Sequence, residues 1–476
     1  MFGKLDSTSG YRRRNLPMLK ATWIVQRDRT PVVAMTLELR TLGHATLLVL
    51  EDGIPLVATD PWLIGSTYWR SWWLEKYPSP EEIDLVRESK HLYITHSHPD
   101  HFHWPTLRHL GPRPVLHPEF PGYKVPAFLD QHGYQSRVLD PGRWYAINDR
   151  VRIASNPTPV DDSILVIDTP RATIVNLNDA NPRLALLRRL RSRLCSDDKP
   201  IILLKSYSPA SIAVSMYRDG KREPMKSKQN YAQVACRLAE AIGAEYYVPF
   251  ASQAFFNRSD SRWANEYKVT FEDLSQHWEA HNVKLCEPFI TMDLETLEHT
   301  SAYSLQERSL DETRLAKVVA REAEEGSFLL PDDFDLKLKA YLDEIYFLRS
   351  IFRRGIGWRL SSSGSERFYN TKTRAIEHTI PPNPDFTITL PDKVLDEALT
   401  NNVLTDLGIT MFTRVDTYTD PRLAYGAFSL MGLHDYGHFD SPRQLAAFFK
   451  FYLPHLVPEI FGRRSATAPE NVISVA

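Results

Sequence analysis

His96-Ser97-His98-Pro99-Asp100-His101 follows directly on the apolar run His91-Leu92-Tyr93-Ile94-Thr95. A short, continuous run of bulky residues predicts a buried strand, and side chains two apart at a strand end project to the same side. His96 and His98 can therefore grip one ion. Pro99 has a fixed φ and no N–H, so it turns the chain and presents Asp100 and His101 to a second ion nearby. The alternative is a polar loop of solvated histidines. The buried strand before it and the helix-starting Trp104-Pro105 after it favour a metal-binding loop.

Working outward, Leu37-Glu38-Leu39-Arg40 alternates, Thr46 to Leu50 is apolar, and Ile54 to Thr59 runs into Asp60-Pro61-Trp62. These predict consecutive short strands, punctuated by Asp52-Gly53 and Asp60-Pro61. Residues 81–89 are helical in composition. Residues 113–116 leave room for only a short strand between prolines. Further strands are predicted at 151–153, 163–167, 172–177, 201–204 and 245–249, with a helix over 231–242 stopped by Gly243. Short strands mixed with helices over residues 36–300 make an α/β layered domain. Residues 1–35, with Arg12-Arg13-Arg14, lack an apolar period and read as an N-terminal arm. Residues 301–476 read as a C-terminal α+β domain. Its helices are clearest over 333–354, two strand-like runs follow, and Asp440-Ser441-Pro442 opens a helical tail with a cap and a first-turn proline.

The chain of 476 residues, 43% hydrophobic and 24% charged, is ordinary globular material. Its 57 basic and 59 acidic residues leave a net charge of −2, so no global field favours nucleic acid or an anionic membrane. Cys195, Cys236 and Cys286 form no Cys-x-x-Cys pair, which excludes a disulfide framework or a thiolate metal site and suits a reducing compartment. The first residues are charged where a signal peptide needs an apolar run, and a cytoplasmic protein is expected.

His-x-His-x-Asp-His after a strand resembles the signature of the metallo-β-lactamase fold, an αββα sandwich with a dinuclear metal site at the edge of its two sheets. Thr59-Asp60-Pro61-Trp62-Leu63-Ile64-Gly65, Trp72-Trp73-Leu74, Trp104-Pro105-Thr106-Leu107 and Val248-Pro249-Phe250-Ala251 resemble the branch containing CMP-N-acetylneuraminate hydroxylase. The resemblance covers residues 36–300. It implies that Asp179, in Asn176-Leu177-Asn178-Asp179, bridges the two ions. The chain also departs from the branch. Where a third histidine is expected before the strand at 163–167, it reads Pro157-Thr158-Pro159-Val160-Asp161-Asp162, so Asp161 or, nearer the strand, Asp162 is the expected substitute. The last histidine should follow Pro249-Phe250-Ala251, and Asn257 or Asp260 stands in its region. The expected metal set is thus His96, His98, Asp100, His101, Asp162 and Asp179, with Asp100 and Asp179 as the catalytic carboxylates. Its oxygen donors lean towards iron, with manganese or zinc as alternatives.

Other residues are read more plainly. His44, between the first strands, is expected to be structural. His434 and His438 are four apart, but Gly437 argues against a shared helical face. Tyr68, Trp69, Trp72 and Trp73 suit a substrate pocket or the core. Lys205, Arg218, Lys221, Arg222, Lys226 and Lys228 suit a solvated loop, or one that holds the phosphate of a nucleotide sugar or coenzyme A thioester.

The resemblance implies a non-haem di-iron monooxygenase that uses dioxygen on a small molecule. The hydroxylase's Rieske iron–sulfur domain needs paired cysteines and histidines, and no cysteine precedes Cys195, so a separate ferredoxin or reductase is the expected electron donor. The alternative is a dinuclear hydrolase of a phosphodiester, lactone or thioester, with Asp100 orienting a metal-bound hydroxide. A third reading is a scaffold with a degenerate site. The C-terminal domain could cover the site, bind a carrier or make a homodimer.

Overall fold

The computed structural model describes residues 36–158, 162–196, 198–304, 309–345, 347–438, 441–461 and 473–474. The expected arm and Asp161 lie outside these residues, as does the Asp440 of the expected helix cap.

Two eight-stranded sheets lie face to face. In the first, the strands run in the order His299–Ser301, Ile290–Asp293, Leu37–Leu42, Thr46–Glu51, Ile54–Thr59, His91–Tyr93, Pro114–Pro118 and Gln135–Leu139. In the second, the order is Lys284–Leu285, Tyr246–Pro249, Ile201–Lys205, Thr173–Asn178, Asp162–Asp168, Arg152–Thr158, Trp144–Ala146 and Ile473–Ser474. The two-residue period of each strand divides its side chains between two cores. Leu47 and Val49 of the first sheet meet Leu165 and Ile167 of the second in the central core. Their neighbours Leu48 and Leu50 face outward, under the helices Pro80–Glu88, Trp104–Leu110 and Val125–Gln131. Ile164 and Val166 likewise face the helices Leu184–Leu194 and Lys228–Ile242. Four layers result, αββα, and central strands such as Thr46–Glu51 and Asp162–Asp168 are apolar on both faces.

Local signals place the helix ends. Ser79 and Glu82 form a capping box before Pro80–Glu88, and Gly243 ends Lys228–Ile242 in a left-handed conformation at φ 71°.

A third sheet of seven strands contains five from the C-terminal part, Ile356–Leu360, Glu366–Asn370, Ala375–Glu377, Phe386–Leu390 and Arg414–Thr417, rather than two. Segments such as Glu-Arg-Phe-Tyr-Asn at 366–370 lack clean alternation, which hides them from a periodicity reading. Met216–Arg218 and Lys221–Arg222 complete this sheet, so residues from the middle of the chain share it with the C-terminal part. The helix predicted over 333–354 ends at Glu344, and Phe347 takes φ 70°, which a right-handed helix cannot continue. Among the described residues, no helix is long and apolar enough to cross a membrane.

Candidate metal centre

The strand His91–Tyr93 ends at the edge where several other strands also stop, and there the backbone takes unusual turns. Asp60, Asn178 and Ala251 all have positive φ (40°, 39° and 46°), and such conformations in non-glycine residues concentrate at functional sites. Each turns its chain at or just past a strand end. Asp60 then spans the gap to the histidine loop: its carboxylate accepts from the Thr95 N–H (2.8 Å) and the Thr95 hydroxyl (2.7 Å), and lies 2.9 Å from His101 Nδ1. A carboxylate on Nδ1 fixes the ring and leaves Nε2 to face a metal. Tight turns hold the loop itself, with the N–H groups of His101 and Phe102 both donating to the His98 carbonyl. His103 is not part of the centre. Its Nδ1 accepts from the Thr106 N–H and caps Trp104–Leu110.

The predicted residues converge. His96 Nε2 lies 2.8 Å from His98 Nδ1, and His96 Nδ1 lies 3.5 Å from Asp162 Oδ1. His101 Nε2 lies 3.3 Å from Asp179 Oδ2 and 3.6 Å from Asp100 Oδ2. His96, His101 and Asp179 present donor atoms within 4.8 Å of one another, and so do His44, Asp100 and His101. Two donor groups sharing one histidine suit a pair of neighbouring ions. Asn257 and Asp260 have other partners: Asn257 Oδ1 accepts from Arg262, and Asp260 pairs with Arg258. His434 lies against Tyr341 and His438 against Phe448, both within the C-terminal part.

The electrostatics fit a cation. Burial and the like charge of Asp179 hold the Asp162 carboxyl well above its usual range. Burial would raise Asp179 too, but the hydrogen bond and charge of His101 outweigh it and hold this carboxyl low. Burial, with His101 and His98 beside it, keeps His96 neutral, the form that binds metal. Burial pushes His101 the same way, yet Asp100 and Asp60 outweigh it and hold a proton there. Three carboxylates facing each other at such distances call for a positive charge, and a divalent ion held beside His101 would supply it in place of that proton.

Three contributors escaped the ligand prediction. His44, Asp60 and Tyr68 reach the site from loops far away in sequence; Asp60 was marked only by the stretch 59–65 that resembles the branch, and Tyr68 only as a pocket or core aromatic. The Tyr68 hydroxyl donates to Asp100 Oδ1 at 2.6 Å. Burial, then the Asp100 charge, pushes its pKa well up, so it remains a donor. Tyr68→Phe keeps the ring packed on Trp72 and removes only that bond. Metal affinity, measured by chelator competition, is expected to fall about 10–100-fold, and an unchanged affinity would show that Tyr68 does not orient Asp100.

A cavity of about 670 Å³ opens over the centre. Its far wall comes from the C-terminal part, with Tyr425, Phe428 and Gly432 of the helix Pro421–Asp435. Tyr68 and Trp72 line it, whereas Trp69 bonds Glu397 and Trp73 bonds the Arg70 carbonyl. Of the six basic residues between 205 and 228, only Lys205 lines it, from a strand end rather than a loop. Its Nζ donates to the Asn178 carbonyl at 3.1 Å, and burial lowers its pKa to about 8 against the opposing pull of Asp179 and Asp162. Lys228 instead pairs with Asp273, and Arg222 lies over the Trp263 ring.

The layer order and the candidate metal-binding edge fit a metallo-β-lactamase-fold domain, and residues 38–166 match the family model described as Beta-lactamase superfamily domain. Curated relatives add a nearer likeness. The chain is 32% identical over 136 residues to cytidine monophosphate-N-acetylneuraminic acid hydroxylase of Asterias rubens, covering 27% of this chain and 20% of the relative. It is 30% identical over 248 residues to the protein of that name from Cricetulus griseus, covering 48% and 42%. The matched part is thus less than half the length of either relative. Among solved structures, a variant of CmlA beta-hydroxylase is 16% identical, with 55% of this chain and 54% of that chain covered and a TM-score of 0.37.

Proposed function

We propose that this chain is a non-haem di-iron monooxygenase that hydroxylates a small molecule. The similarity over 248 residues to a protein named as a hydroxylase carries the reading, and the mixed histidine and carboxylate donors agree with it. His96, His98, Asp162 and Asp179 would hold one ion, and Asp100 and His101 the other, with Asp179 between them. Bound there, ferrous ions supply the chemistry that activates dioxygen. The protein's own part is positional. Asp60 fixes the His101 ring, Tyr68 fixes the Asp100 carboxylate, and the helix Pro421–Asp435 forms the far wall of the cavity. The cavity is of a size that encloses a small ligand. Lys205 gives it one buried cation for an anionic group, which suits a nucleotide- or coenzyme A-linked substrate. A separate ferredoxin or reductase would deliver electrons.

The test is the metal content of protein from cells supplemented with iron and zinc, with iron oxidation state followed on adding oxygen. Near-stoichiometric iron whose ferrous form reacts with oxygen is expected. Tightly held zinc indifferent to oxygen would favour the hydrolase instead, and absence of metal would leave a degenerate scaffold.

A further inference from the structure

Asp100 and His101, with the shared Asp179, give the second ion one protein ligand fewer than the first. The segment after Ala251, where the resemblance expects a histidine, commits Asn257 to Arg262 and Asp260 to Arg258. Yet that segment touches an imidazole-bearing residue through its backbone: the Ala251 N–H donates to the His44 carbonyl at 2.9 Å. His44 is 2% exposed, and neither of its ring nitrogens has a hydrogen-bond partner among the described residues. Nε2 faces Asp100 Oδ2 at 3.2 Å, and Nδ1 faces no polar group among the described residues. Leaving a buried polar group unsatisfied costs about 1–3 kcal/mol, so a buried imidazole aimed at a carboxylate in this way needs a reason.

We infer that His44 is a further protein ligand of the second metal ion, joining Asp100, His101 and the shared Asp179 in place of the histidine missing after Ala251. The surroundings prepare each donor for this role. Tyr68 occupies Asp100 Oδ1, which leaves Oδ2 towards His44. Asp60 occupies His101 Nδ1, which leaves Nε2. The His44 ring is held among Trp62, Trp72 and His101, with ring centroids 5.5, 6.0 and 5.8 Å away. Gly43 sets its entry: φ is +56°, and a Cβ there would stand 2.8 Å from the Trp62 carbonyl oxygen, so only glycine makes this turn without a shift. The inference rests on a dinuclear centre but not on its reaction. Failure of the oxygen test would leave it standing.

The test uses zinc as probe on the full metal-free chain. Wild type is expected to take up two equivalents. His44→Ala should keep one tight equivalent and bind the second about 100-fold more weakly or worse, with free imidazole restoring it through the space left by the ring. Two tight equivalents in His44→Ala, or a single equivalent in wild type, would overturn the assignment. A crystal structure of zinc-loaded wild type decides the matter even where the variant does not fold. A His44 nitrogen about 2.0–2.1 Å from the second ion supports the inference, and a ring out of bonding distance refutes it.

Discussion

Asp179→Ala is expected to strip the centre of both ions, with turnover lost alongside. Asp179 stands at the end of the strand Thr173–Asn178, 3.3 Å from His101 Nε2, and belongs to the same donor group as His96. In the proposed arrangement it lies between the ions, so each loses a negative donor when it goes. Removing a residue that merely orients a ligand costs about 10–100-fold in metal affinity, so loss of a shared ligand should cost about 100-fold or more. The fold should tolerate the change. The Asp179 side chain is 37% exposed, so alanine opens no buried cavity, and the repulsion on Asp162 is relieved. Metal analysis after dialysis, beside an unchanged circular dichroism spectrum, is the measurement. An alanine variant that keeps both ions would remove Asp179 from the centre.

A second large effect lies away from the metal. Arg258, 1% exposed, binds Glu325 through two hydrogen bonds of 2.9 and 2.6 Å and Asp260 through two of 2.9 Å. Its third contact is a 3.0 Å hydrogen bond to the Trp69 carbonyl. Tyr68, Trp69 and Arg70 all have positive φ (48°, 52° and 63°), a conformation that costs a non-glycine residue about 1–2 kcal/mol. The Arg258 cluster, with Trp69 bonded to Glu397, holds this turn and so holds the Tyr68 hydroxyl on Asp100. Glu325→Ala leaves a guanidinium buried with too few partners. Breaking a buried pair on one side costs about 3–5 kcal/mol, a fall in Tm on the order of 10 °C. The double variant Arg258→Met with Glu325→Leu should lose less, because the guanidinium and its most buried carboxylate go together, while the more exposed Asp260 and Arg321, which keeps Glu397, each lose one partner. A single variant as stable as wild type would mean that water reaches the cluster.

How much of this was legible beforehand follows from the range of the forces involved. The strands could be read from short apolar runs such as 46–50 and 163–167, because burial on one or both faces of a strand is written into its own residues, whereas their αββα order was implied only by the family resemblance. The cluster of donors on the loop His96 to His101 could be read because these residues are neighbours in sequence. The helix Lys228–Ile242 carried its own stop at Gly243. By contrast, the third sheet draws Met216–Arg218 beside Arg414–Thr417, a pairing across about 200 residues with no local mark.

The same distinction runs through the centre. The sequence by itself determined which donors sit on the loop, and it determined that no cysteine pair could serve in their place. The tertiary structure decided that His44, Asp60, Tyr68 and Lys205 join them, each delivered by a different segment to one sheet edge. Whether a buried polar side chain is a core residue or part of a site depends on what the rest of the chain places opposite it. That is a property of long-range packing, invisible to any window of sequence.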